Sequence, residues 1–177
     1  MNFELSEEQK MIQQSVERFV QENYDLTNRI KISSEDPGFS NEYWSSMAEL
    51  GWLGLAFGEE DGGFGGNQID TLVLMEQFGK GLVLEPFLAN IVLGGGAIKR
   101  GASEALKQSI IPSLIEGNLQ VTLAYAEEQS RFDLEDVATS AREEDKDFLI
   151  NGRKSMVLNA ESADKIVVVA RTSGSQI

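Results

Sequence analysis

A strand candidate, Val121–Ala126, ends in an unusual polar cluster, Glu127-Glu128-Gln129-Ser130-Arg131. The chain around it has neither cysteine nor histidine. Without cysteine there is no disulfide, no thiol nucleophile and no zinc–thiolate site. Without histidine there is no Ser-His-Asp chemistry, no imidazole base and no access to the commonest metal ligand. Acid–base work therefore falls to carboxylates, Lys or Tyr, or to a bound cofactor. A second candidate is the glycine run holding Gly62, Gly63, Gly65 and Gly66. It lacks both G-x-G-x-x-G and a G-K-[ST] ending, and no strand–loop–helix unit frames it, so it reads as a flexible turn joining two helices rather than a phosphate loop.

The composition narrows the classes further. The 177 residues carry 29 acidic and 15 basic side chains, a formal net charge of −14. Nucleic acid is a poor partner for such a chain, because phosphate binding wants a basic face. An anionic cofactor is not excluded, since a helix N-terminus or a few backbone N–H groups can hold a phosphate. The start of the chain is polar and acidic, and no run of about 18 apolar residues suggests a membrane span. A cytoplasmic protein with no membrane span is the expectation.

The elements that position these residues change character near Asn118. Ser6-Glu7-Glu8-Gln9 is a capping-box pattern. It opens a helix to about Asn23, with Ile12, Val16, Phe19 and Val20 on one face. Ser33–Gly38 reads as a loop. Ser40 caps a second helix, whose buried face carries Tyr43, Trp44, Met47 and Leu50 and which Gly51 ends. A third helix covers Ile69–Phe78, ended by Gly79 and Gly81. Glu85-Pro86 starts a fourth, with Pro86 at N1 and Gly94–Gly96 loosening its end. Ser103 caps a fifth, with Leu106, Ile110 and Leu114 on one face and Pro112 as a kink or break.

Beyond Asn118 the period is that of strands. Asn151-Gly152 between Phe148–Ile150 and Lys154–Leu158 predicts a type I′ hairpin turn. Ile166–Ala170 is a continuous apolar run, as expected of a strand buried on both faces. The fold class is α+β: an N-terminal all-α helical bundle over residues 1–117, then part of an antiparallel β-barrel-like domain over 118–177.

Four segments, in order, resemble the acyl-CoA dehydrogenase family: LSEEQKMIQQSVERFV, YWSSMAELGWLGLAFGEEDGGFGG, QSIIPSLIEGNLQVTLAYAE and INGRKSMVLNAESADKIVVVART. The last is the most specific, being similar to the family's pattern of hydrophobic-N-G-x-K followed by T-N-x-x-x-A-D. The resemblance covers the whole chain. It implies FAD as cofactor, an acyl-CoA substrate, and α,β-desaturation of the thioester by a Glu base and a flavin hydride acceptor. It also implies an electron-transfer flavoprotein or similar acceptor, and a homo- or hetero-oligomer.

The implied flavin contacts fall on Tyr125 and Ala126 after the first strand and on Met156, Val157 and Leu158. The implied acyl or thioester contacts fall on Arg131 and Phe132. The chain departs from the family at several of these positions. Ala126 stands for a Thr, Phe132 for a Ser, Arg131 for a small residue, Met156 for an aromatic and Leu158 for a Thr. Glu127, Asp133, Asn151-Gly152, Lys154, Asn159 and Ala163-Asp164 match, and read as fold and turn positions. The family's catalytic Glu comes from a C-terminal helical domain absent from this chain, so no catalytic residue is expected here. Glu127 and Glu128 could substitute as base, but they read as exposed loop carboxylates with nothing to raise their pKa. The AYAEEQSRFDL variant is most similar to the small-subunit type of pimeloyl-CoA dehydrogenase. Two expectations follow: part of an FAD-dependent dehydrogenase, or a flavin-poor partner subunit of a heteromeric one, inactive alone.

Overall fold

The computed structural model describes residues 4–174 and divides into two compact units, Met1–Phe87 with Ser103–Asn118, and Leu88–Ala102 with Leu119–Ile177. It is α+β, a helical N-terminal region followed by a few strands.

The first unit holds α1 (Glu7–Asn23), α2 (Leu26–Ser34), α3 (Asn41–Glu49), α4 (Gln68–Gly81) and α6 (Glu104–Ile115). Ser6 and Gln9 form the expected capping box of α1, satisfying two N–H groups that the first turn leaves open. Ser40 accepts from Tyr43 N–H to start α3, and Gly51 takes φ +79° after it, where a side chain would be strained. Trp44 and Met47 are buried, whereas Leu50 is half exposed at the cap. Val16 of α1 is buried, as are Val73, Leu74 and Phe78 of α4. A chain of edge-on aromatic pairs runs from Phe19 to Trp52, Phe78 and Phe87, with centroids 5.3, 5.8 and 5.4 Å apart. Each fully buried side chain of this size stabilises by about 1.5–3 kcal/mol.

Three expectations change here. The sequence reading leaves out α2, which Asp25 caps through Asn28 N–H; Ser33 and Ser34 are its last residues rather than loop. No residue of α2 is buried, and its apolar stripe is the single pair Leu26 and Ile30, too short to mark a helix by period. α4 runs through Gly79 to Gly81, and Leu82 takes the left-handed cap at φ +50°. Pro112 lies inside a continuous α6 and does not break it; Leu106 is half exposed, and the buried face is Ile110, Ile111 and Leu114.

The glycine run is a closed turn. Gly62, Gly63, Gly65 and Gly66 donate to the carbonyls of Glu59, Gly58, Phe57 and Leu55 at 2.7–3.0 Å. With those N–H groups used internally, none is left to cradle a phosphate.

The second unit begins with a wide, π-type helix, Leu88–Gly95, that runs into α5 (Gly96–Gly101). Gly94–Gly96 thus lies inside helix rather than at its end. Gly94 permits contact with β1 (Val121–Ala124), because a Cβ there would come within 2.4 Å of Val121 O. Asn90 Oδ1 accepts from Val121 N–H on the same side.

β1 pairs in parallel with β4 (Lys165–Val168), and β2 (Ser140–Glu144) pairs antiparallel with β3 (Asp147–Asn151). The described strands form no closed barrel. The hairpin turn is Asp145-Lys146, with Asp145 at φ +56°, so Asn151 ends β3 and Lys154–Leu158 is not a strand. Gly152 serves close approach instead: a Cβ would lie 2.5 Å from Thr139 Oγ1. β4 is shorter than expected and only half-buried, because its partner is the single strand β1.

Candidate functional site

β1 and the segment after β3 meet at their ends. Tyr125 and Ala126 continue β1, and Val169 N–H donates to Ala124 O at 3.0 Å to close the β1–β4 ladder. Returning from β3, the chain lays residues 154–158 along this same stretch. Ser155 N–H donates to Ala126 O at 2.9 Å, and Thr122 Oγ1 donates to Leu158 O at 2.5 Å. Asn159 Nδ2 donates to Gln120 Oε1 at 2.8 Å, while Gln120 N–H donates to Asp164 Oδ2 at 2.7 Å. Met156 and Asn159 take φ +53° and +56°, and these two left-handed residues turn the segment around Val157-Leu158.

Behind these segments sits a buried carboxylate. Glu127 accepts from Lys154 Nζ and Gln129 Nε2 at 2.6 Å, from Ala138 N–H at 2.7 Å and from Thr139 N–H at 3.0 Å. Burial by itself would raise this carboxyl. The bonds from Lys154, Thr139 and Gln129 outweigh it and hold the group well below the usual carboxylate range. The expectation of two exposed loop carboxylates therefore divides. Glu127 is buried, and its lowered pKa makes it too weak a base to take a proton near neutral pH. Glu128 is exposed and pairs with Arg153 at 3.2 Å.

The stretches that carry Tyr125-Ala126 and Met156-Val157-Leu158 are tied together through Ser155–Ala126 and Thr122–Leu158. Ala126 and Val157 are half-buried; Tyr125, Met156 and Leu158 are exposed, Met156 at 85%. The backbone N–H groups of Ala126, Val157 and Leu158 have no hydrogen-bond partner among the described residues. Open donors beside uncovered apolar side chains suit a flat, largely apolar ring system with acceptor atoms at its edge. That is the chemistry of an isoalloxazine ring, so the residues present fit a flavin. Arg131 and Phe132 are not packed against them. They lie on the exposed turn after Glu127, Arg131 at φ +49° and Phe132 98% exposed.

Sequence reasoning missed the roles of Thr122, Thr139 and Gly152 in fixing this region. Thr122 and Thr139 are single polar residues in apolar or loop surroundings, with no spacing signal. Gly152 carried a signal, but it was read as a turn. No group of three or more Asp or Glu is placed to hold a metal ion, and no helix is long and apolar enough to cross a membrane, among the described residues.

Comparison with known proteins gives consistent matches. Residues 6–118 match the family described as acyl-CoA dehydrogenase, N-terminal domain, and residues 122–176 match acyl-CoA dehydrogenase, middle domain. The chain is 30% identical over 172 residues to mitochondrial isovaleryl-CoA dehydrogenase of Bos taurus, covering 95% of this chain and 40% of that protein. It is 29% identical over 175 residues to the caffeyl-CoA reductase–Etf complex subunit CarC of Acetobacterium woodii, covering 97% of this chain and 45% of that one. Among solved structures, the FAD complex of PigA superposes with TM-score 0.86 at 26% identity, over 99% of this chain and 46% of PigA. The chain spans less than half the length of these relatives.

Proposed function

The chain belongs to the acyl-CoA dehydrogenase family, and from that premise we propose that it is part of an FAD-dependent enzyme that desaturates an acyl-CoA thioester at the α,β position. The observation that carries this reading is the run of residues 154–158 along 122–126, tied at Ser155–Ala126 and Leu158–Thr122, which leaves main-chain donors open beside apolar side chains. Ala126, Val157 and Leu158 would hold the flavin through their N–H groups, with Tyr125 and Met156 against its apolar surface. Bound FAD would supply the hydride acceptor. Arg131 and Phe132, on the adjacent exposed turn, would meet the acyl or thioester end.

The α-proton base is assigned outside this chain. Among the described residues two carboxylates are buried: Glu127, which four donors make too weak a base, and Glu85, whose oxygens are taken up by Tyr24 and Ser40. Transfer of electrons to a flavoprotein carrier is supported by the relative that is a subunit of an Etf complex. A second reading is a partner subunit of a heteromeric dehydrogenase that depends on another chain for flavin. It is favoured by Ala126, which offers no hydroxyl, and by Phe132, a fully exposed aromatic.

Titration of the purified chain with FAD, followed by flavin fluorescence, tests the proposal. Saturable binding with Kd near ~1 μM, about −8 kcal/mol, supports a flavin site within these residues. No binding at ~100 μM FAD removes the autonomous reading and leaves the partner-dependent one.

A further inference from the structure

The Glu127–Lys154 pair is buried more deeply than the surfaces it lies behind. The exposed fractions of the two side chains are 2% and 8%. Lys154 Nζ also donates to Tyr125 O at 3.3 Å, and the next residue, Ser155, donates its N–H to Ala126 O. Lys154 therefore grips residues 125–127 at two points while standing at the root of the 154–158 segment. On its other side the Glu127 carboxylate takes Ala138 and Thr139 N–H, tying in the approach to β2. Gly152 makes the arrangement possible, since any side chain there would strike Thr139.

A buried ion pair is a poor source of net stability, because desolvation cancels much of the attraction. What it provides is a fixed spacing between the chain segments it joins, enforced by the cost of leaving either charge unpaired. We propose that the buried Glu127–Lys154 pair is a positioning device that sets the distance and register between the two main-chain segments, 125–126 and 156–158, whose N–H groups would hold the flavin. Neither side chain touches the reacting atoms. The inference rests on the flavin reading above.

The test uses the full chain and the variant Lys154→Met, with Lys154→Arg as conservative rescue and Ile98→Ala, at a buried position of α5, as a control that destabilises the same unit elsewhere. Amide exchange is followed by mass spectrometry, and FAD is the probe ligand. The expected result is faster exchange, by about tenfold or more, at the bonded amides of Ser155, Ala138 and Thr139 in Lys154→Met, a contrast absent from Ile98→Ala and reduced in Lys154→Arg. FAD binding weakens by about tenfold in parallel. Should Lys154→Met fail to fold, Glu127→Gln is read in the same way. Exchange that rises uniformly over the second unit, or not at all, overturns the positioning role. If the wild type binds FAD and the contrast is missing, the pair is not a positioning device and the flavin reading stands. If the contrast appears and the wild type binds no FAD, the flavin reading falls and the main-chain register remains assigned to the pair.

Discussion

Glu85 gives the protein a stability that falls as pH rises. Its side chain is buried, with Oε2 bound by the Tyr24 hydroxyl and Oε1 by Ser40 N–H at 3.1 Å. Burial is the dominant effect and pushes its pKa up to about 7, although main-chain bonds pull the other way. In the unfolded chain the same group titrates near 4.5. The native state therefore holds a proton that the unfolded state has lost, and across that window stability declines with pH. The term is intact below about pH 4.5 and gone above about pH 7. A difference of about 2.5 units at ~1.4 kcal/mol per unit gives about 3 kcal/mol between the two limits. Glu85→Gln keeps an oxygen for Ser40 N–H and an amide for the Tyr24 oxygen, and it cannot ionise. Urea unfolding of both proteins at pH 5, 6, 7 and 8 isolates the effect, because the difference between them cancels the other titrating groups. Glu85→Gln should gain about 2.5 kcal/mol relative to wild type between pH 5 and pH 8, equivalent to roughly 5–10 °C in Tm for a chain of this size. A difference that stays flat from pH 5 to 8 refutes the reasoning.

Glu127 has the opposite sign: its depressed pKa contributes stability above about pH 4.5 that is lost as pH falls, and thermal melts from pH 6 to 3 should show a loss that Glu127→Gln lacks. Gly152→Ala places a Cβ 2.5 Å from Thr139 Oγ1 and should destabilise by about 1–3 kcal/mol in urea unfolding. Ser6→Ala removes the α1 capping box and should cost about 1 kcal/mol by the same assay. Ala126→Thr adds a hydroxyl beside the proposed flavin and should tighten FAD binding by about 2- to 10-fold, the worth of one net hydrogen bond; an unchanged Kd counts against flavin contact at this position.

What the sequence made legible was set by local chemistry. Ser6, Ser40 and Ser103 each mark a helix start, because a capping oxygen acts within three residues. α2 escaped notice because its nine residues offer only one i,i+4 apolar pair, Leu26 and Ile30, too short a stripe to mark a helix. Asn151-Gly152 carried a strong turn signal and yet makes no hairpin. The turn formed six residues earlier, at Asp145-Lys146, where the register Glu144↔Asp147 closes the ladder. Glycine there answers to Thr139, thirteen residues away in sequence, and no local pattern can report such an approach. The same limit hid the core of the candidate site. Glu127 looked like a loop carboxylate because its partners, Lys154, Ala138 and Thr139, come from other parts of the chain.

The departures from the family pattern and the preserved residues then fall into one physical scheme. Side chains that differ, at 126, 131, 132, 156 and 158, are exposed or half-buried, and among the described residues none of them makes a side-chain hydrogen bond or ion pair. Side chains that match, Glu127, Lys154, Asn159 and Asp164, each carry a bond that sets the course of the main chain. A cofactor held largely by backbone N–H groups does not constrain the side chains that face it. It constrains the residues behind, which fix where those N–H groups lie. On the proposed reading, drift at the surface of the cradle leaves binding in place, whereas loss of one buried partner weakens it. Ala126 and Leu158 remove side-chain hydroxyls that could meet a flavin but leave the main-chain donors in place. Stronger evidence against flavin binding would be a break in the Glu127–Lys154 pair or a side chain at Gly152, and this chain has neither.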